Sequence, residues 1–219
     1  MLPTIFRRQN IQKLNLALPD HFNIDEAWKI ISAAGSIRDR IFLMFLLGTG
    51  ARISEAISVR VRDFTPMDSS VRIPNLKRNC GPKKRRPGPR PKQKPEPEYR
   101  TLPVKPGLAG ALSQFIRDNS LALDDLIFPF SRITGWRIVQ KAAKTAGIND
   151  SRCHPHTFRH TFAIQAVRSG ISPIVIQQWL GQSNLFNTLI YAKATALDTR
   201  PFMGEMKLFP EDFREGAGG

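Results

Sequence analysis

Cysteine is scarce in this sequence, and long apolar runs are absent. The two cysteines, Cys80 and Cys153, lie far apart and form no Cys-x-x-Cys motif, so a disulfide framework is not expected. No stretch approaches the roughly 20 apolar residues that span a bilayer. Met1 to Asn10 also lacks the apolar core of a signal peptide. We therefore expect a soluble protein of the reducing cytoplasm.

Acidic residues are also few. The 219 residues include 18 Asp and Glu against 33 Lys and Arg, which gives a formal net charge of +15. Such a charge favours a polyanionic partner, with nucleic acid as the leading candidate. Ribosomal and membrane-surface proteins share this balance, so charge alone does not identify the chemistry. A Gly-x-x-x-x-Gly-Lys-[Ser/Thr] phosphate loop is absent as well, so ATP-driven chemistry is not expected.

The hydrophobic periodicity predicts a mainly α-helical fold with a small β-hairpin, of the α+β class. Hydrophobic residues make up 41% of the chain, enough for one substantial core. Asn23 and Glu26 form a candidate capping box for the first helix. Short strands are predicted over 71–74 and 100–104. Helices are predicted over 24–34 and 37–47, from Arg52 onward, and over 106–118, 132–146, 157–169, 173–180 and 185–192.

Residues 78–98 differ from the rest in composition, because they combine clustered cations with six prolines. Fixed φ angles and missing amide donors exclude helix and sheet, so an extended basic loop is predicted here. Two interpretations are open. The loop is either a solvated linker or a DNA-contact loop that gains affinity by releasing counterions from phosphates. The candidate DNA contacts are Lys83, Lys84, Arg85, Arg86 and Arg90.

A first candidate site block follows the turn Gly48-Thr49-Gly50-Ala51. Arg52 starts a predicted helix there, and Glu55 lies three residues on, so the two side chains share a face. The pair is either an ordinary surface ion pair, which contributes little stability, or an arginine oriented to fork onto a phosphate.

A second block runs from His154 to His160. His156 and Arg159 are three residues apart at the start of a predicted helix, so both can reach one phosphate. A zinc site formed by Cys153, His156 and His160 is an alternative with plausible spacing. The positive charge of the nearby arginines would repel a zinc ion. We therefore favour no metal and interpret His160 as a structural, hydrogen-bonded residue.

A third block contains Leu180-Gly181-Gln182-Ser183 and, further on, Ile190-Tyr191. The chain has only two tyrosines, Tyr99 and Tyr191, so a tyrosine nucleophile has few possible positions. Taken alone, a tyrosine after Leu-Ile is more often a core residue.

Together the three blocks resemble, in order and spacing, the signature boxes of the tyrosine recombinase, or phage integrase, family. The resemblance covers roughly residues 20 to 195. It implies the catalytic-domain fold of that family, with Arg52, His156 and Arg159 around the scissile phosphate. It also implies that Glu55 supports Arg52 and that Tyr191 attacks. A lysine on the β-hairpin completes the family's set, and Lys77 matches it best, with Lys83 or Lys84 as alternatives.

Two departures from the family pattern stand out. Gln182 occupies the position where a histidine or tryptophan is most common. Its amide can donate a hydrogen bond to a phosphate oxygen but cannot carry a proton, which predicts retained chemistry and leaves its rate open. Many relatives also carry an N-terminal DNA-clamping domain, which we do not find ahead of the catalytic pattern. The basic loop, or an arm over residues 1–20, is the candidate substitute.

The resemblance predicts a site-specific recombinase that cleaves double-stranded DNA through a 3′-phosphotyrosyl intermediate, without metal or other cofactor. His156 is the candidate proton acceptor for the nucleophile and Lys77 the proton donor to the leaving 5′-hydroxyl. We predict a catalytic domain over 21–200 and a tail over 201–219 that docks on a neighbouring protomer, in a tetramer on DNA. Accessory DNA-bending proteins and a prokaryotic cytoplasm are further expectations.

Two other functions stay open on the sequence. A type IB topoisomerase shares the tyrosine chemistry but only relaxes supercoils. A DNA-binding accessory or regulatory protein of the same fold would have weak catalysis or none, in keeping with Gln182.

Overall fold

The computed structural model describes residues 19–76, 98–182 and Tyr191, and shows helices around one small sheet. A 3₁₀ turn, Val61–Asp63, precedes the first strand. The mainly helical α+β prediction is confirmed. The elements in chain order are α1 (Ile24–Ser32), α2 (Ile37–Thr49), α3 (Ile53–Ala56), β1 (Phe64–Thr65), β2 (Ser70–Pro74), β3 (Tyr99–Pro103), α4 (Pro106–Asp118), α5 (Arg132–Thr145), α6 (Pro155–Arg168) and α7 (Pro173–Leu180).

Local sequence signals located these elements well. The long helices as far as α7 begin and end within two residues of their predicted bounds. The capping box is confirmed, because Asn23 Oδ1 accepts from the Glu26 amide at 2.7 Å and the Glu26 carboxylate accepts from the Asn23 amide at 2.9 Å. Strand β1 was not predicted, because two residues are too few to show a periodicity.

Several predicted segments lie wholly or almost wholly outside the described residues: the arm over 1–20, the insertion over 78–98 and the tail over 201–219. The predicted helix over 185–192 is described only at Tyr191, which has helical backbone. These boundaries therefore stay predictions. Within the part of the chain that the structure describes, no helix is long and apolar enough to cross a membrane.

Helix α2 forms the centre of the main hydrophobic core. Apolar residues on nearly every face of α2 are buried, and the helix packs against α1, α3, α4 and α6. Phe42 and Phe45 both meet Phe128 edge to face, with ring centroids 5.3 and 5.5 Å apart, an arrangement that aromatic quadrupoles favour. The packing of α2 positions the turn at its C-terminal end, which Arg52 follows.

The sheet is antiparallel in the order β1, β2, β3. Val71 is paired with Leu102 and Ile73 with Arg100. Backbone pairing extends one step past the strands, because the Asn75 amide donates to the Glu98 carbonyl at 2.7 Å. Asn75 and Glu98, on the two sides of a segment outside the described residues, are therefore held side by side at this end of the hairpin.

A second, smaller core joins α6, α7 and Tyr191. Tyr191 is 3% exposed, and its buried neighbours in this cluster are Ala163, Ile164, Ala166, Val167, Ile176 and Leu180. Tyr191 is thus a core residue, as expected of a tyrosine that follows Leu-Ile. Burial does not decide its chemical role, which depends on the contacts of its hydroxyl.

Gly50 allows close packing at the end of α2. It has a left-handed φ of 60°, and its amide donates to the Leu46 carbonyl at 3.0 Å. A Cβ at this position would lie 2.5 Å from Phe162 Cδ1 and 2.8 Å from Leu180 Cδ2. Helices α6 and α7 therefore pack directly on the backbone that precedes Arg52.

Gly50→Ala is expected to lower the free energy of unfolding by two separate effects. The left-handed backbone costs about 1–2 kcal/mol with a Cβ, and overpacking against α6 and α7 adds about 1–3 kcal/mol. Gly147→Ala is the matched control, because Gly147 has a φ of 75° but no atom within 4 Å of the added Cβ. Urea unfolding measures both variants. Equal losses would contradict the tight packing at Gly50.

Candidate active site

Glu55 is a buried anion shared by two arginines. Its side chain is 1% exposed. It accepts from the Arg52 amide at 3.0 Å, from Arg52 Nη1 at 2.7 Å and from Arg100 Nη2 at 2.7 Å. Burial acts to raise the pKa of Glu55, but Arg100 and Arg52 outweigh it and hold the pKa below its ordinary value. Glu55 is therefore an ionised carboxylate that orients both guanidinium groups.

Arg52 occupies the N-cap position of α3, with extended backbone. Its side chain is 15% exposed and lines an open cavity of about 200 Å³. The other lining residues are Ile53, Ser54, Glu55, Leu76, Arg132 and His156. The first block thus presents an oriented guanidinium to a solvent-accessible space, unlike an ordinary surface ion pair.

Arg159 connects two helix ends that lie far apart in the sequence. It is 4% exposed. Its Nη1 donates to the Gly50 carbonyl at 2.8 Å and its Nη2 to the Leu180 carbonyl at 2.7 Å. These carbonyls lie at the C-terminal ends of α2 and α7, where the helix dipole favours a cation. Burial, with Arg52 adding to it, lowers the pKa of Arg159 to about 9, so the group is still charged at neutral pH.

Arg100 is a site residue that the sequence analysis did not identify. Its Nε donates to the Trp179 carbonyl at 2.6 Å and its Nη2 to Glu55. Its Nη1 is buried and has no hydrogen-bond partner among the described residues. A sequence signal did exist, because strand alternation puts Arg100 on the same face as the buried Leu102.

His156 and Arg132 line the open side of the site. His156 is exposed at the start of α6, and Arg132 is the first residue of α5. Both residues also line a second cavity, of about 170 Å³, together with Trp136 and His154. Arg132 was not predicted. Its position follows from the Ser131 cap, whose hydroxyl accepts from the Thr134 amide.

Tyr191 meets this cluster through its hydroxyl. The Tyr191 Oη lies 2.7 Å from Nδ1 of His160. Burial raises the pKa of Tyr191, while Arg159, a hydrogen bond from the Gln182 side chain and Arg52 act to lower it. Burial, followed by His156 and Arg159, lowers the pKa of His160 to about 4. The imidazole is therefore neutral at neutral pH, and in the tautomer that carries its proton on Nε2 the Nδ1 atom accepts the hydrogen bond of the phenol.

The geometry gives no support to a zinc site at Cys153, His156 and His160. His160 Nδ1 is engaged with Tyr191, and the Cys153 thiol donates to the Ile148 carbonyl at 3.2 Å. Across residues 19–76, 98–182 and 191, no three His, Cys, Asp or Glu side chains are grouped as a metal ion requires.

Five of the predicted site residues therefore come together from three separate segments: Arg52, Glu55, Arg159, Gln182 and Tyr191. His156 joins them at the cavity wall. Lys77 lies outside the described residues, although its neighbour Leu76 lines the cavity with Arg52. The candidate DNA contacts Lys83, Lys84, Arg85, Arg86 and Arg90 also lie outside them.

Comparison with known proteins gives a consistent result. The profile described as the phage integrase family matches residues 20–197. The tyrosine recombinase XerD of Corynebacterium glutamicum is 34% identical over 188 residues, which cover 82% of this chain and 58% of that protein. The tyrosine recombinase XerA of Pyrococcus horikoshii is 29% identical over 207 residues, with 90% and 64% covered. The chain thus spans less than two thirds of these relatives' length.

The fold is shared with solved structures. The crystal structure of XerA recombinase aligns with a TM-score of 0.66 at 23% identity, covering 86% of this chain and 65% of that one. At this identity the similarity concerns the fold, so the chemistry must be argued from the site itself.

Replacing the buried carboxylate in Glu55→Gln is expected to lower the free energy of unfolding by about 3–5 kcal/mol, because two guanidinium groups lose their buried counter-charge. Asp124→Asn is the matched control. Asp124 pairs with Arg62 at the surface, where both side chains are more than half exposed, so about 0.5 kcal/mol or less is expected. Urea unfolding compares the two. Equal small losses would contradict a structural role for Glu55.

His160 is expected to make stability depend on pH. The unfolded chain protonates this histidine near its ordinary pKa of 6.5, whereas the folded chain keeps it neutral down to about 4. The folded state binds fewer protons in that window, so stability falls as the pH is lowered from about 6.5 to about 4. Urea unfolding at stepped pH should give a shallower dependence for His160→Asn. Parallel curves for both proteins would refute this.

Proposed function

This chain belongs to the phage integrase family, and we propose that it is the catalytic domain of a site-specific DNA recombinase. It cleaves and rejoins double-stranded DNA through a covalent bond between Tyr191 and a 3′-phosphate. The observation that carries this proposal is the convergence of three groups: Arg52 lines the cavity, Arg159 bridges Gly50 and Leu180, and the Tyr191 hydroxyl contacts His160, the residue after Arg159.

The arginines supply the charge that phosphoryl transfer requires. Two guanidinium groups, of Arg52 and Arg100, hydrogen-bond the Glu55 carboxylate, and the charge of Glu55 also acts on the third guanidinium, of Arg159. The cluster therefore keeps an excess of positive charge, which a phosphate can neutralise. As Tyr191 attacks, negative charge grows on the nonbridging oxygens, and preorganised donors on Arg52 and Arg159 stabilise it. His156 contributes from the cavity wall.

The leaving group needs a proton, and we assign its delivery to Lys77 as the hairpin lysine. Leu76 lines the same cavity as Arg52, which supports a lysine at the next position acting there. The phosphotyrosyl bond conserves the energy of the broken phosphodiester. A 5′-hydroxyl from a second strand can therefore reverse the step without ATP or metal, which is strand exchange.

Gln182 is proposed to act on the nucleophile. Its side chain hydrogen-bonds Tyr191 and lowers the pKa of the phenol, as an amide that donates to the phenolate oxygen does. A residue that does not carry a proton is sufficient for this role. The departure from histidine or tryptophan at this position is therefore compatible with catalysis.

The proposed partner is double-stranded DNA, in keeping with a net charge of +15. We propose that the basic segment with Lys83 to Arg90 contacts phosphates. We also propose that the protein assembles on DNA as a homotetramer, with the tail docking between protomers. Action in the cytoplasm and accessory DNA-bending proteins are further parts of the proposal.

The proposal predicts a denaturation-resistant adduct with DNA. Nicked duplexes tiled across the DNA that flanks the gene are incubated with the protein without metal, since a nick beside the cleavage point lets the short 5′-hydroxyl fragment escape. Wild type and Tyr99→Phe should form the adduct, whereas Tyr191→Phe should form none. Tyr99 is the matched control as the only other tyrosine. It is 42% exposed and stacks on Arg72 outside the site.

The products then separate the candidate functions. Recombinant junctions between two cleaved sites indicate a recombinase, and relaxed circles alone indicate a topoisomerase. Salt-sensitive binding without any adduct would overturn the proposal in favour of an accessory DNA-binding protein.

A further inference from the structure

The Tyr191 hydroxyl has a specific basic neighbour on α6. His160 Nδ1 lies 2.7 Å from it. The rings are tilted by 46° with centroids 5.8 Å apart, so the contact is made through the polar atoms and not by stacking. His160 directly follows Arg159, whose two hydrogen bonds to backbone carbonyls fix this turn of the helix. The base and the phosphate-binding arginine are thus held by one helical turn.

We propose that His160 takes the proton of Tyr191 during DNA cleavage, a role that the sequence analysis gave to His156. The inference rests on the proposed recombinase function and assigns one of its steps. His156, which is exposed at the cavity wall beside Arg52, is then a ligand of the phosphate oxygens.

The step balances as follows. Tyr191 Oη forms a bond to phosphorus while the bond from phosphorus to the 5′-oxygen breaks. The phenolic proton passes to Nδ1 of His160, and the 5′-oxygen receives a proton from the acid assigned to Lys77. In the rejoining step the protonated His160 returns its proton to the departing Tyr191 oxygen, so the residue begins and ends the cycle neutral.

The surrounding charges suit this role once DNA is bound. Without DNA, burial and nearby cationic groups lower the pKa of His160 to about 4. A bound phosphate places negative charge among these groups, which raises the affinity of His160 for a proton at the time of attack. The titratable and charged groups that face His160 are Tyr191, His154, His156, Arg159 and Asp20. Among the last four, His154, His156 and Arg159 lower the pKa of His160 and Asp20 raises it.

Two other roles for His160 must be distinguished from proton transfer. The imidazole could only position the phenol by accepting its hydrogen bond, or it could hold Tyr191 back until DNA binds. His160→Asn separates these roles, because Asn Oδ1 stands close to the position of Nδ1 and accepts the same hydrogen bond but carries no proton at neutral pH.

The test measures single-turnover adduct formation on a nicked duplex from pH 5 to 9, with wild type, His160→Asn and His156→Asn. His21→Asn is the control, since His21 lies outside the site and its ring contacts the Pro19 carbonyl. We expect His160→Asn to slow the reaction by about 10²-fold or more and to remove the acidic limb of the pH profile. His156→Asn should also react more slowly than wild type, but it should keep the acidic limb of the pH profile. Unchanged circular dichroism establishes that each variant is folded, and unchanged DNA affinity is expected of His160→Asn and His21→Asn.

Two further measurements address the base directly. Imidazole added to His160→Ala should restore the rate in proportion to its unprotonated fraction. A duplex with sulfur in place of the bridging 5′-oxygen needs no proton on its leaving group, so His160→Asn should stay slow on it.

The inference is overturned if His160→Asn reacts at the wild-type rate or faster, keeps the acidic limb, or regains its rate on the sulfur substrate. Failure of the proposed function looks different, because wild type itself then forms no adduct that depends on Tyr191.

Discussion

The arrangement of the site depends on one buried carboxylate. An ionised group with 1% of its side chain exposed, as for Glu55, is tolerated only where donors surround it. Arg52 and Arg100 supply them. Because Arg100 also donates to the Trp179 carbonyl, satisfying one charge brings together α3, strand β3 and the end of α7, three elements that are separate in the sequence.

The same arginines also satisfy backbone groups. The last carbonyls of a helix lack partners within it, and the acceptors of Arg100 and Arg159 lie at Gly50, Trp179 and Leu180. Each guanidinium thus holds helix ends in place while its charge stays in the site. Packing is mutual, because Gly50 touches Phe162 and Leu180 closely enough to exclude a Cβ. The positive charge of the site and the packing of the helix ends around it therefore depend on the same segments of the chain.

The sequence predicted what short-range rules determine. The Asn23 box and the long helices follow from caps and periodicity, and the three motif blocks predicted that Arg52, Arg159 and Tyr191 belong to one site. Contacts between distant segments could not be read in this way. Arg100 and Glu55 are 45 residues apart, and His160 and Tyr191 are 31 apart. Arg100 had a detectable signal on the core face of its strand. His160 had none beyond its motif, because spacing does not say which histidine meets the phenol.

This long-range arrangement explains how Tyr191 can be a core residue and, in the proposed reaction, also the nucleophile. In the absence of DNA, burial raises the pKa of Tyr191 and lowers that of His160, so both groups are neutral and the proton stays on the phenol. The arginines favour the phenolate, but they do not outweigh burial. In the proposed reaction a phosphate bound among Arg52, Arg159 and His156 raises the pKa of His160, since its negative charge favours the imidazolium. The arginines in turn stabilise the charge that passes from the phenol to the phosphoryl oxygens. Under this proposal the substrate completes an electrostatic arrangement that the folded chain leaves with excess positive charge, and attack is favoured only when a phosphodiester is in place.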